Sequence, residues 1–121
     1  MIFRRLPGAL AALPVRALVP TAWIQFDGTG TPAITDTENV TSITDNAAGD
    51  WTLTWQRAMA STAYCVLVTP RREAAQPTLA GLNSLGNYPT TTTSARIGCM
   101  RPFGPTASDV NIVSVVVLGG L

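Results

Sequence analysis

Hydrophobic and polar positions alternate most regularly in the stretch "WTLTWQ", residues 51–56. Trp51, Leu53 and Trp55 occupy every second position, and only Thr and Gln stand between and after them. A period of two places the apolar side chains on one side of a strand and the polar ones on the other. The β-branched threonines also favour a pleated backbone. The pattern predicts a strand with one buried and one solvated face.

The residues before this stretch complete a predicted hairpin. Residues 40–44, "VTSIT", have strand composition, and residues 45–50, "DNAAGD", are rich in turn-forming types. Gly49 can adopt a left-handed conformation without strain, and Asp and Asn side chains can bond their own backbone. We therefore predict two antiparallel strands whose register decides which face carries the two tryptophans.

Five further segments have the composition of strands. Residues 62–70, "TAYCVLVTP", are apolar at odd and even positions alike, which predicts a central strand covered on both faces. The others are residues 23–26, the short edge segment "PAIT" at 32–35, residues 94–101 and residues 109–120. No helical pattern follows residue 20. About seven strands separated by turn signals predict an all-β fold, an antiparallel β-sandwich with an extended N-terminal arm.

The first twenty residues differ from the rest in composition. They resemble a signal peptide, but Pro7, Gly8 and Pro14 interrupt the apolar run and no A-x-A cleavage pattern follows. We therefore divide the chain into an N-terminal anchoring arm, residues 1–20, and a β-sandwich domain, residues 21–121. The apolar side chains expected to dock the arm on another chain are Ile2, Phe3, Leu6, Leu10, Leu13 and Val15. Folding of the arm back onto its own domain stays open as the alternative.

The composition of the chain favours assembly into an oligomer over a free monomeric state. The chain has 121 residues, of which 12% are charged, and its net charge is +1. That charge exerts no broad pull on nucleic acid, so no nucleic-acid partner is expected. A domain of this size hides a strongly apolar closing run with difficulty, so we predict a homotrimer, with a dimer as the weaker alternative. The closing residues concerned are Val113, Val115, Val116, Val117 and Leu118.

The sequence contains few of the residues that catalytic sites and metal sites usually require. The chain has no His, which removes the commonest general base and transition-metal ligand. Cys65 and Cys99 lie in separate strand-like segments and are predicted to be buried free thiols, with a disulfide open if the two strands are neighbours. A calcium loop lacks the D-x-[DN]-x-[DN]-G order, so turn chemistry explains the acids better. The acids weighed for calcium are Asp27, Asp36, Glu38, Asp45 and Asp50. We expect no catalytic residue, no bound metal and no cofactor.

The aromatic residues divide into a core set and one surface candidate. Strand periodicity places Trp23, Trp51, Trp55 and Tyr64 in the core. Tyr88 lies instead in a long polar stretch, residues 71–93, which we expect at the end of the sandwich remote from the arm, together with the loop 27–31. The candidate surface contacts are Asn83, Asn87 and Tyr88. Packing of that loop against a neighbouring subunit is the alternative.

Several segments also resemble a known kind of domain. They are "AWIQFDGTGT", "NVTSITDNAAGDWTLTW", "AMASTAYCV", "SARIGC" and "DVNIVSVVVLG". Together, over residues 22–120, they resemble a domain of bacteriophage tail-fibre and related virion proteins, which has an AWxxFxGxG opening and an NVxSITDxxxGD hairpin. The hairpin is the most specific element. The resemblance implies a compact β-sandwich, often trimeric, carried on a phage appendage.

The expected function follows from that resemblance and from the lack of candidate catalytic and metal-binding residues in the sequence. We expect a non-enzymatic structural protein of the virion, a short tail or head fibre or spike subunit, that presents its sandwich for host attachment. Its expected partners are copies of itself in a homotrimer, another virion protein (capsid, tail or fibre) through residues 1–20, and a host surface glycan or protein. The alternative is an architectural capsid or tail decoration or connector protein without receptor contact.

Overall fold

The computed structural model describes residues 19–71, 78–82, 90–101, 106–107 and 109–121. Within these ranges the chain forms nine β-strands and no helix. The strands are β1 Ala22–Asp27, β2 Ala33–Glu38, β3 Val40–Ala47, β4 Asp50–Trp55, β5 Tyr64–Arg71, β6 Leu79–Leu82, β7 Ser94–Arg101, β8 Thr106–Ala107 and β9 Ile112–Gly119. The predicted all-β class is confirmed. The count exceeds seven because β6 and the two-residue β8 form in stretches predicted as irregular.

The strands form two antiparallel sheets packed face to face. The first sheet has the order β2-β1-β9-β5, and the second has the order β3-β4-β7-β6, with β8 paired to the end of β7. β1 and β3 also make contacts across the sandwich, as do β5 and β6. The architecture is therefore the predicted β-sandwich, and β2 lies at a sheet edge as "PAIT" suggested.

Alternation along the strands supplies the core. In β4, Trp51 is 0% exposed, Leu53 0% and Trp55 4%, whereas the threonines between them point away from the core. Phe26 from the first sheet meets the Trp51 ring edge to face, with centroids 5.3 Å apart. Such aromatic pairs add to the stabilisation from burial alone. The predicted hairpin is thus confirmed, and its turn is confined to Ala48 and Gly49.

The predicted central position of residues 62–70 is wrong. β5 is an edge strand, hydrogen-bonded to β9 alone in the first sheet. Tyr64 and Val66 pack toward the core, but Cys65 is exposed and Leu67 is 56% exposed. The apolar residues at both odd and even positions therefore reflect a core on one side and an uncovered apolar surface on the other.

The closing run behaves differently from the expectation that it leaves much apolar surface. β9 lies between β1 and β5, and Val113, Val115 and Val117 are at most 1% exposed. Only Val116, which is half-buried, and Leu118, which is 44% exposed, point outward. Fewer apolar side chains of this run are therefore available for self-association than the sequence suggested.

The sandwich has two distinct ends. We call the end that holds residues 19–21 and 119–121 the terminal end and the opposite one the far end. At the far end, Gly28 packs so closely that a Cβ would lie 2.6 Å from the Trp51 ring. Gly49, with φ 64°, donates its N–H to Asp109 Oδ1 at 2.7 Å. A larger residue in place of Gly28 in the opening segment would clash with Trp51, and Gly49 adopts the left-handed conformation that the hairpin turn requires.

Candidate assembly surface

An apolar patch covers the outer side of the first sheet near the terminal end. Cross-strand pairing aligns Leu67 with Val116 and Val116 with Trp23, and it aligns Cys65 with Leu118. Directly opposite residues in a sheet have Cβ atoms about 4.5–5.5 Å apart, so these side chains form one continuous surface. We call these five residues the terminal face.

The terminal face ends at a polar row. The next outward residues toward the far end are Thr69, Ser114, Gln25 and Asp36, aligned across all four strands. Gln25 Nε2 donates to Ser114 Oγ at 3.1 Å. The terminal face is therefore bounded toward the far end by polar side chains, and beyond them Ile34 on the edge strand β2 is 44% exposed.

The outer side of the second sheet is polar along β3 and β4 and the first half of β7, whereas Leu79 on the edge strand β6 is 56% exposed and lies opposite Met100 near the far end. Its side chains include Ser42, Thr44, Thr52, Thr54, Ser94 and the pair Asp50 and Arg96. Arg96 Nε donates to Asp50 Oδ1 at 2.7 Å, and Arg96 Nη2 donates to Oδ2. Asn46 Nδ2 donates to Thr52 Oγ1 at 2.8 Å. We call this surface the hydroxyl face, and its groups are those that water solvates well.

A groove adjoins the terminal face. It has a volume of about 680 Å³ and is lined by Val19, Pro20, Thr21, Trp23, Glu38, Asn39, residues 57–60, Gly120 and Leu121. Trp23 belongs to both the groove and the terminal face. At its rim Arg57 Nη2 lies 3.3 Å from Glu38 Oε1, and both side chains are mostly exposed. We call this cavity the terminal groove.

Asn39 fixes the shape of the terminal groove. It is 4% exposed, has φ 59° and joins β2 to β3 where the chain crosses between the sheets. Its Oδ1 accepts from the Arg57 N–H at 2.6 Å, and its Nδ2 donates to the carbonyls of Thr21 and Arg57 at 3.2 and 3.3 Å. Asn tolerates the left-handed region better than most residues, which suits it to this position. In the sequence Asn39 stands out only as the first residue of the hairpin segment, because a single crossover residue carries no periodic signal.

The predicted aromatic core needs one correction. Trp51, Trp55 and Tyr64 are buried as predicted, and the Tyr64 hydroxyl donates to the carbonyls of Thr91 and Ser94 at 2.8 and 3.0 Å. Burial raises the pKa of Tyr64. Trp23 is only half-buried and points outward, because its neighbours Ala22 and Ile24 take the inward positions of β1.

The two cysteines are free, as predicted, but only one of them is buried. Cys99 is 2% exposed, and burial together with the nearby Asp109 carboxylate raises its pKa to about 12. Cys65 is exposed on the terminal face, so its predicted burial is wrong. The two residues lie in different sheets, Cys65 in β5 and Cys99 in β7.

The acids weighed for calcium have local roles. Asp27 Oδ1 accepts from the Thr29 hydroxyl and N–H at 2.6 and 2.8 Å, which lowers the pKa of Asp27. Asp50 pairs with Arg96, and Glu38 pairs with Arg57. Among the residues that the structure describes, no three His, Cys, Asp or Glu side chains are grouped to hold a metal ion. The same part of the chain contains no helix long and apolar enough to cross a membrane.

The residues predicted to contact partners lie outside the described part of the chain. These are the arm residues Ile2, Phe3, Leu6, Leu10, Leu13 and Val15 and the surface candidates Asn83, Asn87 and Tyr88. The described flanks of residues 83–89 still carry information. β6 runs toward the terminal end as it pairs with β7, and Thr91 bonds Tyr64 and Ser94 at that end. The expectation that the whole stretch 71–93 belongs to the far end therefore fails for these flanks.

Comparisons with protein-family models, with curated proteins and with solved structures find no match to this chain.

Proposed function

We propose that this chain is a non-enzymatic structural protein of a bacteriophage particle, a short fibre or spike subunit. It associates with copies of itself through the terminal face, and residues 1–20 anchor it to another virion protein. The observation that carries the proposal is the terminal face itself. Leu67 is 56% exposed and Leu118 44% exposed beside Val116 and Trp23, and the first charge in this row is Glu38, opposite Trp23 on the edge strand β2. Contiguous exposed apolar patches of this kind mark interaction sites.

The positions of the resembling segments support the same proposal. In "AWIQFDGTGT", Trp23 lies on the terminal face, and Gly28 allows the loop to close on Trp51. In the hairpin segment, Asn39 ties three parts of the terminal end together, and Gly49 forms the far turn. The residues that carry the resemblance to virion domains thus hold the frame on which the terminal face is built.

A homotrimer is the expected assembly. Three copies can turn their terminal faces toward a common axis, so that each subunit makes heterologous contacts with its two neighbours and the ring leaves no copy uncovered. Arms that leave from the same end then emerge together toward one anchoring partner. The terminal face and the arm therefore belong to one assembly function.

One observation favours the alternative, a capsid or tail decoration or connector protein. The flanks of residues 83–89 lie toward the terminal end, where the arm leaves the sandwich. In this alternative Asn83, Asn87 and Tyr88 contact a neighbouring virion subunit and not a host surface. In this alternative the same terminal face stiffens a joint of the particle.

Particles carrying variants of the chain test the proposal. Deletion of residues 1–20 should give particles that lack the protein, since the anchor is gone. Locating the intact protein on the particle by cryo-electron microscopy gives its position and copy number. Absence of the protein from purified particles would contradict the proposal.

A second pair of substitutions separates the fibre from the connector. Asn87→Ala with Tyr88→Ala should weaken adsorption to host cells with unchanged assembly if these residues contact a receptor. Loss of the trimer in the same variant, measured by light scattering, indicates that the loop is an interface between subunits.

A further inference from the structure

The terminal groove exposes apolar surface at the point where the chain enters the domain. Trp23 and Met59 contribute to its lining, and Val19 and Leu121 at its margin are 47% and 49% exposed. Its volume of 680 Å³ lies within the range of about 300–1,000 Å³ that is typical of sites for drug-sized ligands. An occupant with a few apolar side chains would cover this surface.

The chain itself leads into the groove. Val19 and Pro20 are part of its lining, so the segment before them is tethered to the groove by Val19. In "LPVRALV", Leu13, Val15, Ala17 and Val19 stand at alternate positions. A proline disfavours helical conformation in the residue before it, so Pro14 and Pro20 favour an extended chain at both ends of this stretch. An extended chain would present Ala17, Val15 and Leu13 on the same side as Val19.

We infer that residues 13–18 lie in the terminal groove of their own chain. The inference rests on the proposed function in one respect, because it leaves residues 1–12 as the part of the arm that docks on the virion partner. It divides the predicted anchoring residues: Leu13 and Val15 bind the domain, and Ile2, Phe3, Leu6 and Leu10 bind the particle.

Length and tethering both favour this occupant. From Glu38 on β2 to Gly120 after β9 the groove crosses two strand spacings, about 10 Å. Four extended residues cover about 13 Å, so residues 15–18 span it and Leu13 reaches its margin. Covalent attachment at Val19 gives this segment an effective concentration in the millimolar range, above that of any free partner. The alternation of an extended segment puts Arg16 on the side opposite to Val15 and Ala17, so the occupant would bring no charge to the apolar lining.

Acrylamide quenching of tryptophan fluorescence tests the inference in the full chain. Trp51 and Trp55 are buried, so Trp23 is the accessible indole, and Trp23→Phe identifies its signal. The measurement uses a Leu67→Asp background, in which association does not shield Trp23. Val15→Asp puts a carboxylate against apolar surface, which is unfavourable, and should raise the quenching constant of Trp23 about twofold. The matched control Leu6→Asp, in the distal half of the arm, should leave it unchanged.

Limited trypsin digestion gives an independent readout. Cleavage after Arg16 should be about tenfold slower than cleavage after Arg4 or Arg5, because a docked bond must first detach. Val15→Asp should remove this difference, and Leu6→Asp should preserve it. Equal cleavage rates in the unmodified chain, together with quenching that Val15→Asp does not change, would overturn the inference.

Dilution distinguishes a chain's own arm from that of a second copy. Shielding of Trp23 within one chain does not depend on concentration, so about a hundredfold dilution should not change the quenching. Loss of shielding on dilution would overturn the inference in favour of arm exchange between copies. These measurements use the isolated protein. Absence of the protein from particles therefore contradicts the proposed function and leaves this result standing.

Discussion

The two outer faces of the sandwich cover the same core with opposite chemistry. On the terminal face of the first sheet, Leu67, Val116 and Trp23 stand in one row without a charge between them. On the hydroxyl face of the second sheet, Thr44, Thr52 and Arg96 occupy the corresponding kind of row. Both faces are built on strands with the same inward alternation of apolar residues.

The difference separates what the core requires from what the surroundings require. Inward positions must be apolar in both sheets, because burial stabilises the fold in proportion to the apolar area removed from water. Outward positions do not have to be apolar for the fold to be stable, so their composition indicates whether they face water or another protein surface. The hydroxyl face suits water, and the terminal face suits another apolar surface.

Truncation of a core-facing residue should have the largest effect on stability. It provides the reference with which changes on the two outer faces are compared. Leu53→Ala removes a side chain that is 0% exposed and leaves a cavity, so the free energy of unfolding should fall by about 2–5 kcal/mol. Urea denaturation followed by tryptophan fluorescence measures it. The neighbouring outward change Thr54→Ala is the control and should cost less than about 0.5 kcal/mol. Similar losses in the two variants would contradict the assigned register of β4.

A charge placed on each outer face tests the comparison itself. Leu67→Asp should leave the fold intact, because the side chain is 56% exposed in the single chain. It should weaken self-association about 30-fold or more, because a carboxylate buried in an apolar contact costs about 2 kcal/mol or more. Light scattering over a concentration series measures the shift from trimer to monomer.

Thr54→Asp provides the matched charge on the hydroxyl face and should not change association. A soluble monomer of the unmodified chain at micromolar concentration would remove the assembly role of the terminal face. Equal weakening by the two variants would show that net charge, and not the position of the carboxylate, controls association.

The regular parts of the fold could be predicted because they depend on alternation within a strand. The hairpin at residues 40–55 follows from Trp51, Leu53 and Trp55, and its turn follows from Gly49. The position of β5 could not be predicted in this way. A strand with apolar residues at both odd and even positions has the same sequence pattern whether its second face is covered by its own domain or exposed, as it is in β5.

Two features of the candidate surface depend on contacts between segments distant in the sequence. Trp23 points outward because Ile24 and Phe26 occupy inward positions of β1, and neighbouring residues of a strand point to opposite sides. Burial of these even-numbered residues therefore leaves the Trp23 indole on the outer side, despite its size. Asn39 shapes the terminal groove through the backbone of Thr21 and Arg57, which are far from it in the chain. Neither arrangement leaves a local pattern that distinguishes it before the strands are paired.

The reactivity of the two cysteines provides a further test, because Cys65 is exposed on the outer side of the first sheet and Cys99 is buried on the inner side of the second. Cys65, exposed on the terminal face, should react with a maleimide in the monomer and react more slowly in the oligomer. Cys99 should stay unreactive until the chain unfolds, because it is buried and its pKa is raised to about 12. Mass spectrometry of labelled samples measures both rates. Labelling of Cys99 as fast as Cys65 in the folded protein would contradict its burial.

The raised pKa of Cys99 also predicts a pH dependence. The unfolded thiol loses its proton near pH 9, the ordinary value, whereas the folded thiol keeps it up to about pH 12. The folded state therefore binds more protons in this window, so its contribution to stability is complete below pH 9 and declines at higher pH by about 1.4 kcal/mol per pH unit. Cys99→Ala should remove this part of the decline, and Cys65→Ala should not. Identical pH profiles for the two variants would contradict the assignment.

The smallest expected effects come from the two ion pairs, one at each face. The Asp50 and Arg96 side chains of the hydroxyl face are 13% and 21% exposed and make two hydrogen bonds, whereas Glu38 and Arg57 at the terminal groove are 55% and 70% exposed. Exposed pairs are weakened by water and salt, and their median contribution is about 0–1 kcal/mol. Asp50→Asn should therefore lower the free energy of unfolding by about 1 kcal/mol, and Glu38→Gln should lower it by less than about 0.3 kcal/mol. Urea denaturation at low and high salt measures both, and salt should reduce the Glu38 effect proportionally more, because screening acts mainly on exposed charges. A larger loss of unfolding free energy for Glu38→Gln than for Asp50→Asn in the isolated chain would mean that the ion pair, and not the apolar lining, holds the terminal groove together. The inference that an apolar segment of the arm occupies the groove would then lose its basis.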